Sequence, residues 1–205
     1  MQKYILSPIL AVFIFLSAPL FGQKCGHDVL EEEVKRLYPN FEANEAEFIS
    51  TVNFNEPHLT EAVVHTIPVV VHIIYDSPSD NISDKQVRDA IIGLNEDYRR
   101  LNADTSNTRS IFQGVAADCE IEFQLAKLNP QGNCTTAITR TQSALSVGAN
   151  NNVKGLISWP NNKYLNIWVV NSISLSSSGT GTVLGYAYKP NPGQNTTYDG
   201  IVIRH

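Results

Sequence analysis

The chain has 205 residues with 15 Lys and Arg against 20 Asp and Glu, a formal charge of −5, which suits one ordinary domain plus a leader rather than two domains. Residues 25–62 carry nine acidic and two basic side chains, whereas residues 63–205 carry eleven of each. The body therefore has no basic face for nucleic acid, and the acidic surplus is confined to the leader.

At the N-terminus, Lys3 precedes the apolar run ILAVFIFL (Ile9 to Leu16) and then SAPLFG, ending at Gly22. Residues 1–22 read as a secretory signal peptide. Its core is short and interrupted by Pro8 and Pro19, and a membrane span needs roughly 20 predominantly apolar residues. The expectation is a secreted, extracellular protein with no stable membrane association once the signal is cleaved. Lys24 stands where lipidation of Cys25 would need a small residue. Cys25, Cys119 and Cys134 are the three cysteines, so an exported chain leaves at least one without an intramolecular partner.

Next come two short acidic helices. Asp28 and Glu31 form a helix start, Leu30, Val34 and Leu37 keep helical spacing, and Pro39 ends the pattern. The stretch NFEANEAEFIST, residues 40–51, is a second weak helix. Neither has enough apolar area to fold alone, so both are expected to lie on another part of the protein.

From residue 63 the composition shifts. The run HTIPVVVHIIYD predicts a buried strand over about Thr66 to Tyr75. Ser83 and Gln86 form a capping box with Ile82 stapling to Val87, and Val87, Ile91, Leu94, Tyr98 and Leu101 make the apolar face of a long helix. Alternation predicts a strand with Cys119, Ile121, Phe123 and Leu125 inward and Glu120, Glu122 and Gln124 outward. NPQGN (129–133) is a turn, and strands are expected at 164–171, 182–190 and 199–205. Strand, helix and then several strands describe an α/β (α+β) domain with a mixed sheet and one long helix on a face.

Few residues carry chemistry by spacing alone. His27, His58, His65, His72 and His205 include no pair four apart on a helix, and His65 and His72 point to opposite faces of their strand. No HExxH helix is present to set two imidazoles and a general-base glutamate on one face. Glu120 and Glu122 share a strand face about 7 Å apart, near the spacing of glycosidase carboxylates, yet a solvated strand face accounts for them. Gly179, Gly181 and Gly185 do not make a phosphate loop, and the serines at 172–178 have no nucleophile elbow. If NPQGN closes a hairpin, Leu128 faces Cys134 and Cys119 lies too far away for a disulfide; pairing of Cys119 with Cys134 requires that this hairpin is absent.

Taken in order, IPVVVHIIYD, ISDKQVRDAIIGLNEDYRRLN, CEIEFQLAKLNPQGN with ITRT, KYLNIWVVN, LGYAYKP and DGIVI resemble the front part of a pappalysin-family metalloprotease, of the metzincin clan, over residues 63–203. The resemblance implies a metzincin-like upper subdomain: a twisted mixed β-sheet, a long backing helix, and an antiparallel edge strand near Val183 to Tyr188 that forms the rim of the substrate cleft. QKCGHDVLEEEV resembles the start of bacterial pro-segments in that family. It implies that residues 23–62 are an acidic pro-segment and that the Cys25 thiolate takes the fourth zinc position as a latency switch.

Protein or peptide substrates would be held as an added strand along Leu184, Gly185 and Tyr186. The family's HExxHxxGxxH helix and methionine turn do not occur in these residues. The expectation is the N-terminal part of a secreted zinc metalloendopeptidase precursor, inactive as this chain, with zinc belonging to the longer enzyme and no calcium site here. The alternative is a non-catalytic secreted module that binds peptides at the same edge. A carbohydrate-active protein using Glu120 and Glu122 is a distant third.

Overall fold

The computed structural model describes residues 26–51, 63–174, 182–189 and 199–205. Two helices, α1 (Gly26–Leu37) and α2 (Phe41–Thr51), precede strand β1 (His65–Tyr75) and helix α3 (Asp84–Tyr98). Five strands follow: β2 (Ile121–Leu125), β3 (Ile138–Gln142), β4 (Leu165–Val170), β5 (Gly185–Ala187) and β6 (Ile201–Arg204).

Among the described residues, six strands form one sheet, in the order β2, β1, β4, β6, β5, with β3 also paired to β1. Residues 65–69 of β1 pair with β2 and residues 71–75 with β3, both on the side opposite β4. One long strand thus serves two short neighbours in succession. Every pairing is parallel except that of β5 with β6, which is antiparallel and closes one edge.

The continuous apolar run of β1 follows from burial on both faces. Val69, Val71 and Ile73 pack with Val87 of α3, Phe123 and Val169. On the opposite face Ile74 joins Trp168, Val170, Val202, Tyr186 and Leu30. The two faces are filled by different partners: α3 backs one, and α1 lies on the other.

Helix α3 begins as its sequence predicts. The Ser83 N–H donates to Gln86 Oε1 at 2.9 Å, the Gln86 N–H donates to Ser83 Oγ at 3.3 Å, and Ile82 packs beside Val87. Its end comes one turn earlier than expected. Arg100 adopts φ 52°, and the Leu101 N–H donates to Glu96 O at 2.7 Å, a Schellman closure with arginine in the place usually taken by glycine. Leu101 is consequently 73% exposed rather than on the buried face.

The strand predicted from Cys119 starts at Ile121 instead, because Glu120 at φ 55° breaks the alternation. Cys119 is exposed and does not point inward. Strand β3 carries only polar or half-buried residues and is held by its pairing with β1 rather than by an apolar pattern of its own. Within the predicted strand at 182–190, the ladder covers only Gly185–Ala187.

Glycine is required at position 200. Its φ is +106°, and a Cβ there would lie 2.6 Å from Asn166 O and 2.6 Å from Trp168 Cζ3. The main chain enters β6 by passing directly against Trp168.

Candidate functional site

The antiparallel edge is where the structure offers main-chain groups to a partner. Arg204 N–H donates to Leu184 O at 2.8 Å, so Leu184 and, two residues on, Tyr186 turn their backbone groups toward β6. Gly185 and Ala187 turn theirs outward, away from the sheet. Gly185 lies close to the neighbouring strand: a Cβ would come within 3.1 Å of Val202 O. Leu184 is 70% exposed, and Gly185 and Ala187 are also exposed.

Tyr186 anchors the strand from its inner side. It is buried, and its Oη–H donates to Asn151 Oδ1 at 3.2 Å while Asn151 Nδ2–H donates to Tyr188 Oη. One asparagine thereby holds both aromatic residues of the edge segment. Burial, followed by the nearby Tyr188 and Glu33, pushes the Tyr186 hydroxyl well above the ordinary tyrosine range, so it remains protonated.

Behind these rings lies Lys154, 1% exposed. Its Nζ sits 4.9 Å from the Tyr188 ring centroid, 5.3 Å from Tyr186 and 5.4 Å from Trp168. Burial lowers the amine to about 8, with Asp199 opposing the shift in part.

The acidic leader packs on this same edge. Leu30 and Val34 of α1 and Phe41 of α2 are buried, and Leu30 joins the cluster around Tyr186 and Trp168. Lys189, just beyond β5, places Nζ 3.3 Å from Glu31 Oε2 and 3.3 Å from Glu45 Oε1. Lys35 pairs with Glu31 and Glu42, tying α1 to α2. The expectation that these helices lie on another part of the protein is met.

Of the consecutive residues Leu184, Gly185 and Tyr186, Gly185 alone turns its main-chain groups outward; Leu184 and Tyr186 turn theirs toward β6, because Leu184 O accepts the Arg204 N–H, and Tyr186 is buried. Cys25 and His58 lie outside the described residues, as do Gly179, Gly181 and most of the serine loop. Among the described residues, no group of three or more His, Cys, Asp or Glu side chains converges in a way that could hold a metal ion. Glu122 is ion-paired to Arg99, which also holds Asp118, so it is not one of a free carboxylate pair with Glu120. Cys119 and Cys134 are free thiols, and Leu128 bridges to Cys134 across the NPQGN turn. Lys154, Asn151 and Lys189 carry no signal in the sequence, since their surroundings are assembled by tertiary packing.

A twisted, mostly parallel sheet with an antiparallel edge strand and a long backing helix is a metzincin-like fold. Solved structures with this fold match the chain at substantial identity. Mature mirolysin of Tannerella forsythia in complex with a cleaved peptide is 40% identical, with TM-score 0.57 over 69% of this chain and 53% of that one. A mutant of promirolysin from the same organism is 34% identical, with TM-score 0.69 over 84% of this chain and 56% of that one. Mirolysin in complex with a compound is 39% identical, with TM-score 0.59 over 69% and 53%. The chain spans about half the length of these structures. No protein-family profile and no curated protein matches it.

Proposed function

We propose that this chain is the N-terminal portion of a secreted zinc metalloendopeptidase precursor of the pappalysin family. Residues 1–22 are its signal peptide, residues 23–62 its latency segment, and β5 the strand beside which a substrate peptide pairs. The observation that carries this reading is the packing of the acidic helices α1 and α2 against the antiparallel edge of a metzincin-like sheet. The comparisons support it: the match extends from 69% of the chain for the mature peptide complex to 84% for the precursor form.

In such an enzyme a bound zinc would supply Lewis-acid activation of water for peptide hydrolysis, and in the latent form the Cys25 thiolate would be one of its ligands. The described residues supply no ligand set for zinc, and no catalytic step is assigned to them. Their part is to bind. A peptide added as a strand exchanges main-chain hydrogen bonds with Gly185 and Ala187, whose groups face outward, while Tyr186 holds the strand from within.

The test uses the protein expressed from its complete gene and activated by removal of the leader. Zinc-dependent peptide cleavage, abolished by a chelator, is expected. Ala187→Pro removes one outward N–H without disturbing the ladder to β6, because proline is tolerated at an edge where the N–H faces solvent. It is expected to lower kcat/KM about tenfold, the equivalent of one lost hydrogen bond, with Tm nearly unchanged. Chelator-insensitive cleavage or none overturns the protease reading. Full activity in Ala187→Pro removes β5 as the substrate strand.

A further inference from the structure

We propose that Lys189 is a subsite for an acidic side chain of a peptide lying along β5, and that Glu31 and Glu45 of the leader occupy that subsite in this structure. The inference rests on the reading of β5 as the peptide-binding edge. Its starting point is convergence: carboxylates from two different helices meet one ammonium at 3.3 Å each. A lysine head is a compact charge with three donors, able to accept carboxylates from more than one direction.

Lys189 also stands close to the strand. Gly185 and Ala187 turn their main-chain groups outward, and Lys189 follows two residues after Ala187, the last residue paired to β6. Ala187 and Lys189 line a common seam with Leu30, Glu31, Val34 and Phe41, so the leader lies against the end of the strand that a peptide would extend along.

The ion pairs are asymmetric. Glu31 has a second partner in Lys35, 3.2 Å away on its own helix, whereas both ion pairs of Lys189 among the described residues are with the leader. When the leader leaves, its carboxylate Glu31 keeps a cation and Lys189 loses both anions. The charge division of the chain points the same way, since nine of its 20 acidic residues lie in residues 25–62 while the remainder is balanced. An acidic residue in a bound peptide restores what the departing leader removes.

The experiment uses the 205-residue chain carrying Leu30→Asp, Glu31→Gln and Glu45→Gln, which buries a charge under α1 and releases the leader; amide exchange of α1 confirms the release. Two fluorescein-labelled, acetylated extended decapeptides of alternating valine and threonine are compared by anisotropy, differing only in one central glutamate or glutamine. The glutamate probe is expected to bind about fivefold tighter in low salt, in line with exposed ion pairs. Adding Lys189→Met or 0.5 M salt should abolish the preference. Equal binding of the two probes overturns the subsite and leaves the edge reading intact; no binding of either overturns both. Because the triple variant perturbs the core, a second measurement uses the parent chain. Lys189→Met should speed exchange of the α1 and α2 amides about threefold, an effect that salt reproduces in the parent. Unchanged exchange overturns the inference, because Lys189 then has no measurable hold on carboxylates.

Discussion

His72 Nε2 lies 2.9 Å from Asn166 Oδ1 in the middle of the sheet, joining β1 to β4 through a pair of side chains that are both essentially inaccessible to water. The same Asn166 oxygen accepts the Trp159 N–H at 2.8 Å, and its Nδ2–H donates to Trp159 O at 2.9 Å. With the Asn166 oxygen as acceptor, His72 carries its proton on Nε2, and Nδ1 accepts from Thr139 Oγ1 at 2.7 Å. One neutral imidazole therefore ties together three strands and the loop at Trp159. A group of this kind is structural, as its place in an otherwise apolar run implies.

Its titration gives the first prediction. Burial lowers His72 from 6.5 to about 4, with the Asn166 hydrogen bond opposing the shift only in part. The unfolded chain then binds a proton at a pH where the native state does not, so stability is complete above 6.5 and falls as pH drops toward 4. Urea denaturation should show a loss of about 2–3 kcal/mol between pH 7 and pH 4.5 attributable to this group. His72→Gln should lower stability at pH 7 and flatten that part of the curve. A parallel pH profile in the variant would show that other groups cause the acid sensitivity.

Lys154 titrates in the opposite range. Its amine is lowered from 10.5 to about 8 by burial against the rings of Trp168, Tyr186 and Tyr188. Below pH 8 the native state must hold an ammonium that it disfavours relative to the unfolded chain, so stability rises as pH increases from 8 toward 10.5. The gain should approach 3 kcal/mol at the upper end of that window. Lys154→Met keeps the stem and removes the charge, so its denaturation free energy should be flat where that of the parent climbs. Persistence of the rise in the variant would sink the assignment.

The sheet edge at β2, opposite the β5 edge, is protected by a side chain. Asn95 of α3 donates Nδ2–H to Phe123 O at 2.9 Å and accepts the Phe123 N–H at 2.7 Å, taking the place of a neighbouring strand. Asn95→Ala leaves both backbone groups of a largely buried residue without these partners, an effect of about 1–3 kcal/mol on stability. It also uncovers a strand edge. Light scattering should show concentration-dependent association in the variant alone; a variant that is destabilised yet strictly monomeric would limit Asn95 to a stabilising role.

How far the sequence shows all this depends on whether the cause is local. The β-branched run Val69–Ile74 and the Ser83/Gln86 capping box are local, and β1 and the start of α3 follow from them. The resemblance located Leu184–Tyr186 at the edge, whereas the register that turns Gly185 and Ala187 outward comes from pairing with β6. Left-handed backbone at Arg100 and Glu120 has no glycine to announce it, and each removed one residue, Leu101 and Cys119, from the face its spacing suggested. Lys154 sits in NNVKGL, a polar stretch that reads as a loop. Its burial is created by rings 14 to 34 residues further along the chain. β3 was hidden for a similar reason: Thr139, Arg140 and Thr141 form a strand because β1 presents them with a partner, not because they alternate in polarity.

Gly200 gives the sharpest structural prediction. Any Cβ at this position would overlap both the Asn166 carbonyl oxygen and the Trp168 ring at 2.6 Å, and the φ of +106° is strained for every L side chain. The overlap cannot be relieved by a flexible side-chain end, since Trp168 is fully buried with its Nε1–H donating to Ile157 O at 2.8 Å. Gly200→Ala must therefore displace the entry to β6, and with it the strand that holds β5 in place. The expected loss is on the order of 3–5 kcal/mol, the range reached when strain and overpacking act together. Beyond the lower Tm, Trp168 fluorescence should shift to the red in the folded variant as the strand moves off the indole. A substitution costing less than about 1 kcal/mol with unchanged fluorescence would mean that the main chain does not pass this close to Trp168.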